Sequence, residues 1–387
     1  MGNTSKTSLF VSTISAEHDF LMGTLYSTFC VLSLLANGVL LSVACCRKSS
    51  LKPAEFFIIN LSISDLGMTV TLFPLATSSS FARRWLFGEI TCTYYAFCGV
   101  LFALCSLTNL TILSAVCCLK VCFPHYGNRF SSSHARVLVL GAWCYAVVFA
   151  VGPMAEWGRY GPEPYGTACC VDWHVPRGDA HAVTYVVALF LFGYAVPCTV
   201  ILTSYAFILL TVRGSHLAMR QHMSPQSTVS NAHVLIVKLS VAVCAGFLAA
   251  WSPYAVVAIW AASSGTAQVP PVAFALAAIF AKSSTVYNPI VYLLFKPNFR
   301  KSLYRGAAHF RGRLQQGRTS QRNHGDISHS THLSDGPHDW HGRCRHCVED
   351  GALCVAPAQR TARVLVVSAH SEVRVSQISD RLHCDFL

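Results

Sequence analysis

Residues 269–295 read VPPVAFALAAIFAKSSTVYNPIVYLLF, a run of 27 with a single ionisable group, Lys282, at its centre. A helix needs about 20 apolar residues to cross a hydrocarbon layer of about 30 Å. Lys282 has 13 residues on either side, so at 1.5 Å per residue it lies roughly 20 Å from either end. That is too deep for its side chain to reach an interface. Six further runs are of the same kind: 20–46, 56–82, 90–119, 137–155, 182–212 and 239–267. Backbone groups in lipid must be satisfied within their own segment, so all seven are expected to be helices. Only 12% of the 387 residues are charged, against about 25% in soluble chains, and mean hydropathy is +0.45. These values exclude a soluble bundle and a wholly disordered chain. The expected fold is an all-α membrane protein, a bundle of seven transmembrane helices.

Charge in the loops sets the orientation. With the N-terminus outside, the three inner loops carry Arg47, Lys48, Lys52, Lys120, Arg129, Arg136, Arg213, Arg220 and Lys238 against one acid, Glu55. The outer side carries five Lys/Arg against seven acids. This is the positive-inside bias, and it predicts a multi-pass protein of the cell membrane with an extracellular N-terminus. Residues 1–19 are then an extracellular tail without a signal-peptide pattern, and Asn3-Thr4-Ser5 is a candidate glycosylation site. Asn60 and Asn109 match the same pattern but fall inside the membrane. The bundle occupies 20–295. Residues 296–305 alternate basic and apolar groups and are expected to lie as a short helix on the membrane surface. Residues 306–387 read as a disordered cytoplasmic tail. Residues 296–387 together hold 14 of the 29 Lys/Arg and nine of the 17 His. The basic residues are not gathered on one folded module, so no nucleic-acid partner is expected; the lipid bilayer is the partner their charge suits.

Two spans hold an ionisable group at depth, Asp65 in the second and Lys282 in the seventh. A charge at the bilayer centre costs at least about 2.5–3.5 kcal/mol, so an intramembrane Lys marks a functional site by default. A buried amine is also a nucleophile that condenses with an aldehyde. The plainer reading pairs Lys282 with Asp65 or turns it to a watery cavity. For Asp65 a structural or switching role, as a hydrogen-bonding or sodium-type site, is the expectation. Of 18 cysteines, most lie inside spans as small apolar fillers. Cys92, Cys169 and Cys170 are near the outer, oxidising face. A Cys92–Cys169 bridge would tie span three to the second outer loop, with Cys170 a competitor. Cys344-Arg345-His346-Cys347 has ligand-like spacing but no second pair, and no metal is expected.

Ala281-Lys282-Ser283-Ser284-Thr285-Val286-Tyr287-Asn288-Pro289-Ile290-Val291-Tyr292 resembles the retinal lysine of opsins followed by their Asn-Pro-x-x-Tyr motif, at the opsin spacing. Asn37, Asp65, Trp143, Pro197 and Tyr205 fit the same family. So do Trp251-Ser252-Pro253-Tyr254 and Trp85-Leu86-Phe87-Gly88, and the resemblance covers roughly residues 20–305. Tyr160-Gly161-Pro162-Glu163-Pro164-Tyr165-Gly166-Thr167, Ala281-Lys282-Ser283, Leu51-Lys52-Pro53-Ala54-Glu55 and Cys244-Ala245-Gly246-Phe247 are similar to the neuropsin group. The resemblance implies a light-sensing receptor, not an enzyme, with retinal (11-cis and/or all-trans) bound as an imine to Lys282. Isomerisation by light then biases a bistable bundle. It also implies a Cys92–Cys169 disulfide and a pocket lined by Phe247, Trp251 and Tyr254. Asn37, Asp65, Pro253, Asn288, Pro289 and Tyr292 become switch or structural positions. A heterotrimeric G protein is the implied partner, with arrestin or a kinase at the tail.

Two departures matter. The position three residues after Cys92, a counterion in vertebrate visual pigments, is Tyr95. Glu163, six residues before Cys169, matches the second-loop carboxylate of many non-visual opsins and is the expected counterion. A counterion held on a loop leaves part of the pigment unprotonated and absorbing in the ultraviolet. At the inner end of span three, Val116-Cys117-Cys118 stands where the family carries Asp/Glu-Arg-Tyr, and His233 stands where many visual pigments have the partner acid. Lys120 does not replace a fixed, bidentate guanidinium. The second reading is therefore a retinal photoisomerase or chromophore store with little G-protein signalling. A receptor for a diffusible ligand, with Lys282 a plain charge partner, is a third; a transporter is disfavoured by the lack of inverted repeats.

Overall fold

Apolar runs of this length become helices where lipid offers the backbone no other partner. The computed structural model describes residues 10–46, 51, 53–173, 179–221 and 228–295. Its helices are α1 (Ala16–Cys46), α2 (Pro53–Phe81), α3 (Gly88–Cys122), α4 (Ser132–Val151), α5, α6 (Thr228–Ser264) and α7 (Pro271–Phe295). The α5 helix starts at Ala180–Phe190, widens into a π turn at Leu191–Ala195 and continues over Val196–Gln221. Each of α1 to α6 holds a segment long and apolar enough to cross a membrane, and α7 completes a seven-helix membrane bundle. The central helix is α3, which packs on α2, α4, α5 and α6, while α1 packs on α2 and α7.

Several helices begin before their charge-free runs do, and their caps explain why. Ser15 Oγ accepts from His18 N at 3.3 Å, and Glu17 and Asp19 occupy the first turn of α1, where the helix dipole favours acids. At α4, Ser131 and His134 form a reciprocal cap. The run at 137–155 ends where a 3-10 turn, Gly152–Ala155, extends that helix. Asp179 caps α5 through Ala182 N at 3.0 Å. Charge-free runs thus mark the hydrocarbon portion of each helix, and capped ends carry it further into water.

Helices in lipid associate through close packing and interhelical hydrogen bonds, since the tails around them are equally apolar. Two polar clusters do this here. Asn60 Nδ2 donates to Asn109 Oδ1 at 3.0 Å, Trp143 Nε1 donates to Asn60 Oδ1 at 2.7 Å, and Asn109 Nδ2 reaches Phe57 O at 2.7 Å. This cluster joins α2, α3 and α4. Both asparagines are buried. The second cluster joins α1, α2 and α7. Asn37 Nδ2 donates to Thr285 O at 2.9 Å, Ser33 and Thr69 share a hydrogen bond of 2.6 Å, and Asn288 Nδ2 donates to Asp65 Oδ2 at 3.1 Å.

The second outer loop, which the sequence presents only as a long connection, folds into a hairpin. Strand β1 (Tyr160–Pro162) pairs antiparallel with β2 (Cys169–Val171), Gly161 opposite Cys170. At its turn Gly166 has φ +83°, and a Cβ there would lie 2.1 Å from Val11 O. Glycine permits both the left-handed backbone and the close approach. Residues 10–14 pack beside it: Ser12 N donates to Arg83 O and Trp85 N to Phe10 O, both at 2.9 Å, and Thr13 Oγ1 to Pro164 O at 2.8 Å. Arg83 also meets Asp19 at 3.2 Å. The end of the polar N-terminal stretch is thus part of the folded outer face. Asn3, the surface helix expected at 296–305 and the tail at 306–387 with Cys344 and Cys347 lie outside the described residues.

Replacing Asn60 with Leu removes its interhelical bonds to Asn109, Cys105 and Trp143 and strands the Trp143 indole N–H inside the bundle. The expected loss is about 1–3 kcal/mol. Trp143→Phe should cost less, near the average of about 0.6 kcal/mol for an interhelical bond in a membrane protein. Thermal unfolding in detergent, followed by far-ultraviolet circular dichroism, checks the order; a Tm for Asn60→Leu at or above wild type contradicts it.

Candidate functional site

Lys282 projects from α7 into the bundle with 9% of its surface exposed. Its Nζ lies 5.5 Å from the ring centroid of Tyr26 on α1 and 5.8 Å from that of Tyr95 on α3. Among the described residues no carboxylate oxygen lies within 4.0 Å of it. The pairing with Asp65 is absent, because Asp65 is engaged by Asn288.

One cavity touches Lys282, Glu163, Tyr95, Phe247, Trp251 and Tyr254 together. It is bordered by α2, α3, α5, α6, α7 and the hairpin. Most of its wall is apolar, and small residues such as Gly99, Ala103, Gly193 and Ala278 give it width. Concave, mainly apolar sites with few convergent polar groups are the usual form of a small-molecule site. The aromatic wall is ordered by mutual contact. Phe247 stacks on Trp251 with centroids 5.7 Å apart. Tyr254 meets the edges of Trp251 and Trp173 at 6.4 and 6.2 Å. Trp251 Nε1 donates to Ser284 Oγ at 3.1 Å, which fixes α6 to α7 two residues from Lys282.

Glu163 sits in the hairpin turn, tied there by Glu163 N to Ala168 O and Gly166 N to Glu163 O, both 2.8 Å. It is 3% exposed. Tyr254 donates its hydroxyl to Oε1 at 3.0 Å, while Oε2 has no hydrogen-bond partner among the described residues. Burial pushes the carboxyl above the ordinary carboxylate range; the charge of Lys282 and the Tyr254 hydroxyl pull it back. A carboxylate in this position is stabilised by a cation in the same cavity, at longer range than a direct pair.

Cys92 and Cys169 are bonded, with Cα atoms 5.4 Å apart. The bond ties α3 to β2 and leaves Cys170 a free, half-buried thiol on the cavity wall. This resolves the competition between the two cysteines. Asn37, Asp65 and Asn288 stand together in the second polar cluster and not at the cavity. Pro253 lies within α6 and Pro289 within α7. Tyr292 is in α7, its side chain outside the described set, as is that of His233. At the inner end of α3, Val116 and Cys117 are buried. Cys118 Sγ lies 3.8 Å from Cys122 Sγ, which accepts from Thr211 Oγ1 on α5 at 3.2 Å. Sequence reasoning missed Tyr26 and Trp173. Trp173 lines the cavity and Tyr26 stands beside Lys282; both are lone aromatics in apolar or loop sequence, and no local pattern marks them.

A family model described as "7 transmembrane receptor (rhodopsin family)" matches residues 36–292. The chain is 34% identical over 293 residues to "Opsin-5" of Mus musculus, which covers 75% of the chain and 77% of the relative. It is 30% identical over 278 residues to "Visual pigment-like receptor peropsin" of Homo sapiens, covering 70% and 80%. Among solved structures, squid rhodopsin superposes with a TM-score of 0.69 at 27% identity, covering 76% of this chain and 86% of that one. The seven-helix bundle, the α3-to-hairpin disulfide and these matches make the chain a multi-pass cell-membrane receptor of the rhodopsin family, belonging within it to the opsins of the neuropsin group.

Proposed function

We propose that this light-sensing opsin carries retinal as a Schiff base on Lys282, with Glu163 as counterion and Tyr95, Phe247, Trp251 and Tyr254 around the polyene. The observation that carries the reading is the sharing of one mainly apolar cavity by a lone amine and a buried carboxylate. The fit to an aldehyde-bearing polyene is chemical. The amine is the nucleophile, the wall is aromatic and apolar, and Glu163 Oε2 lacks a hydrogen-bond partner. Retinal supplies the absorption of light and the change of shape.

The protein's residues do the remainder. Lys282 fixes one end of the ligand through its α7 backbone. Trp251, stacked on Phe247 and bonded to Ser284, joins the cavity wall to the contact between α6 and α7. Pressure on that indole is felt by α6, which carries Pro253, and by α7, which carries Pro289. Asn37, Asp65 and Asn288 lie in the cluster below and are the positions at which α1, α2 and α7 change partners. The disulfide Cys92–Cys169 holds the turn bearing Glu163 against α3.

The interior of α3 favours a second reading at the signalling step. Val116, Cys117 and Cys118 provide no guanidinium to meet a G protein, and under this second reading the chain is a retinal photoisomerase or chromophore store with little G-protein signalling. The lipid bilayer and retinal are its partners under both readings; G protein, arrestin and kinase belong to the first.

In the dark, 11-cis-retinal added to the expressed protein should produce an absorption band that changes on illumination and is lost in Lys282→Ala. A chain that gives no retinal-dependent band, or one indifferent to Lys282→Ala, refutes the assignment. Removing the carboxylate in Glu163→Gln destabilises the positive imine, so the visible form should give way to the ultraviolet form at lower pH than in wild type. A visible maximum that ignores both pH and this substitution excludes Glu163 as counterion. Nucleotide exchange on added G protein separates the two readings. Light-driven exchange above the dark rate supports the receptor, while conversion of retinal isomers without it supports the isomerase.

A further inference from the structure

We propose that the ring faces of Tyr26 and Tyr95 form an aromatic enclosure that stabilises positive charge on the Lys282 nitrogen, with Tyr26 a charge-stabilising residue of the chromophore site. This deepens the function proposed above and rests on the assignment of Lys282.

The geometry is specific. The two rings come from α1 and α3, 69 positions apart in sequence, and both lie within cation–π range of the same Nζ, at 5.5 and 5.8 Å. Tyr26 is 0% exposed and Tyr95 2%, so both rings are themselves shielded from water. Each ring is held from behind. Tyr26 stacks on Phe73 of α2 with centroids 6.0 Å apart, and Tyr95 meets Trp85 edge-on at 5.4 Å. The negative face of an aromatic ring attracts a cation by about 0.5–1 kcal/mol in water and about 2 or more when desolvated.

The charge balance around Lys282 leaves room for such a contribution. The titratable groups that face it are Glu163 and Cys170 on the outer loop, Tyr26 on α1 and Tyr95 on α3. Tyr165 on the loop and Tyr254 on α6 stand around Glu163. Glu163 acts on the nitrogen from beyond ion-pair distance, and one of its oxygens is shared with Tyr254. The two ring faces therefore add negative potential at the nitrogen that does not depend on a direct ion pair. Tyr95 occupies the position where a glutamate would otherwise stand; Tyr26 supplies a second face from a helix that the sequence gives no reason to associate with the site.

The test compares Tyr26→Leu, which removes the face, with Tyr26→Phe, which keeps it and removes only the hydroxyl. In pigment reconstituted with 11-cis-retinal, a dark pH titration of the spectrum reads the ratio of protonated to unprotonated form. Tyr26→Leu should lower that ratio about two- to thirtyfold at fixed pH, the range expected from one cation–π contact between its exposed and its desolvated strength, and Tyr26→Phe should hold the wild-type curve. A second arm needs no retinal. Reductive methylation of Lys282 with formaldehyde and cyanoborohydride, quantified by mass spectrometry in the full chain, should run faster in Tyr26→Leu by a similar factor. A Tyr26→Leu protein that matches wild type in both arms overturns the proposal, as does a Tyr26→Phe protein that behaves like Tyr26→Leu. If wild type forms no Lys282-dependent band, the chromophore assignment fails, and the methylation arm still decides whether the rings hold the charge.

Discussion

An amine in the middle of a membrane-spanning helix is opposed by several kcal/mol of desolvation, and the outer half of this bundle is arranged around offsetting it. Lys282 has no direct ion pair among the described residues. It has instead two ring faces, a carboxylate in the same cavity and a mainly apolar wall. The position of Glu163 depends in turn on a hairpin turn, and the hairpin on the Cys92–Cys169 bond and on Gly166 lying against Val11. The carboxylate of Glu163 thus reaches the cavity on a loop rather than on a membrane-spanning helix.

The inner half uses neutral hydrogen bonds for cohesion. Asn60, Asn109 and Trp143 join α2, α3 and α4, and Asn37, Asp65 and Asn288 join α1, α2 and α7. Such networks survive in lipid because each donor has a partner and none has to be hydrated. The end of α3 continues the pattern. Where a charged triad would present a guanidinium to the cytosol, Cys117 and Cys118 pack as small, polarisable side chains, and Cys122 bonds to Thr211 across to α5. The inner face is therefore held by packing of neutral groups at the place where related receptors hold it by charge.

Much of this was legible in the sequence. Seven apolar runs gave the helix count because the bilayer imposes a length, and the loop charges gave the orientation because the inner surface is negative. Lys282 stood out since a buried cation is rare. The helix ends at Ala16 and Ser132 were less legible, because Ser15 and Ser131 cap polar turns outside the hydrocarbon. The hairpin was not legible at all: its strands span three residues each, too short for an alternation to show. Cys169 was separated from Cys170 only by the fold, which turns one toward α3 and the other toward the cavity. Tyr26 was invisible for a related reason, since an aromatic residue in a lipid-spanning run reads the same whether it faces lipid or an amine.

The π turn in α5 has a consequence for helical phase. Ala182 and Ile208 are both buried, yet their separation of 26 positions is about 7.2 turns of a regular helix. A π turn accommodates one extra residue, and with it discounted the interval falls to about 6.9 turns, close to a whole number. Ile201 returns to the same face on the same correction. The five residues Leu191–Ala195 therefore keep both halves of α5 facing the bundle. A one-residue deletion there would rotate the inner half by about 100° and carry Tyr205 away from Cys244, which its hydroxyl now meets at 3.3 Å.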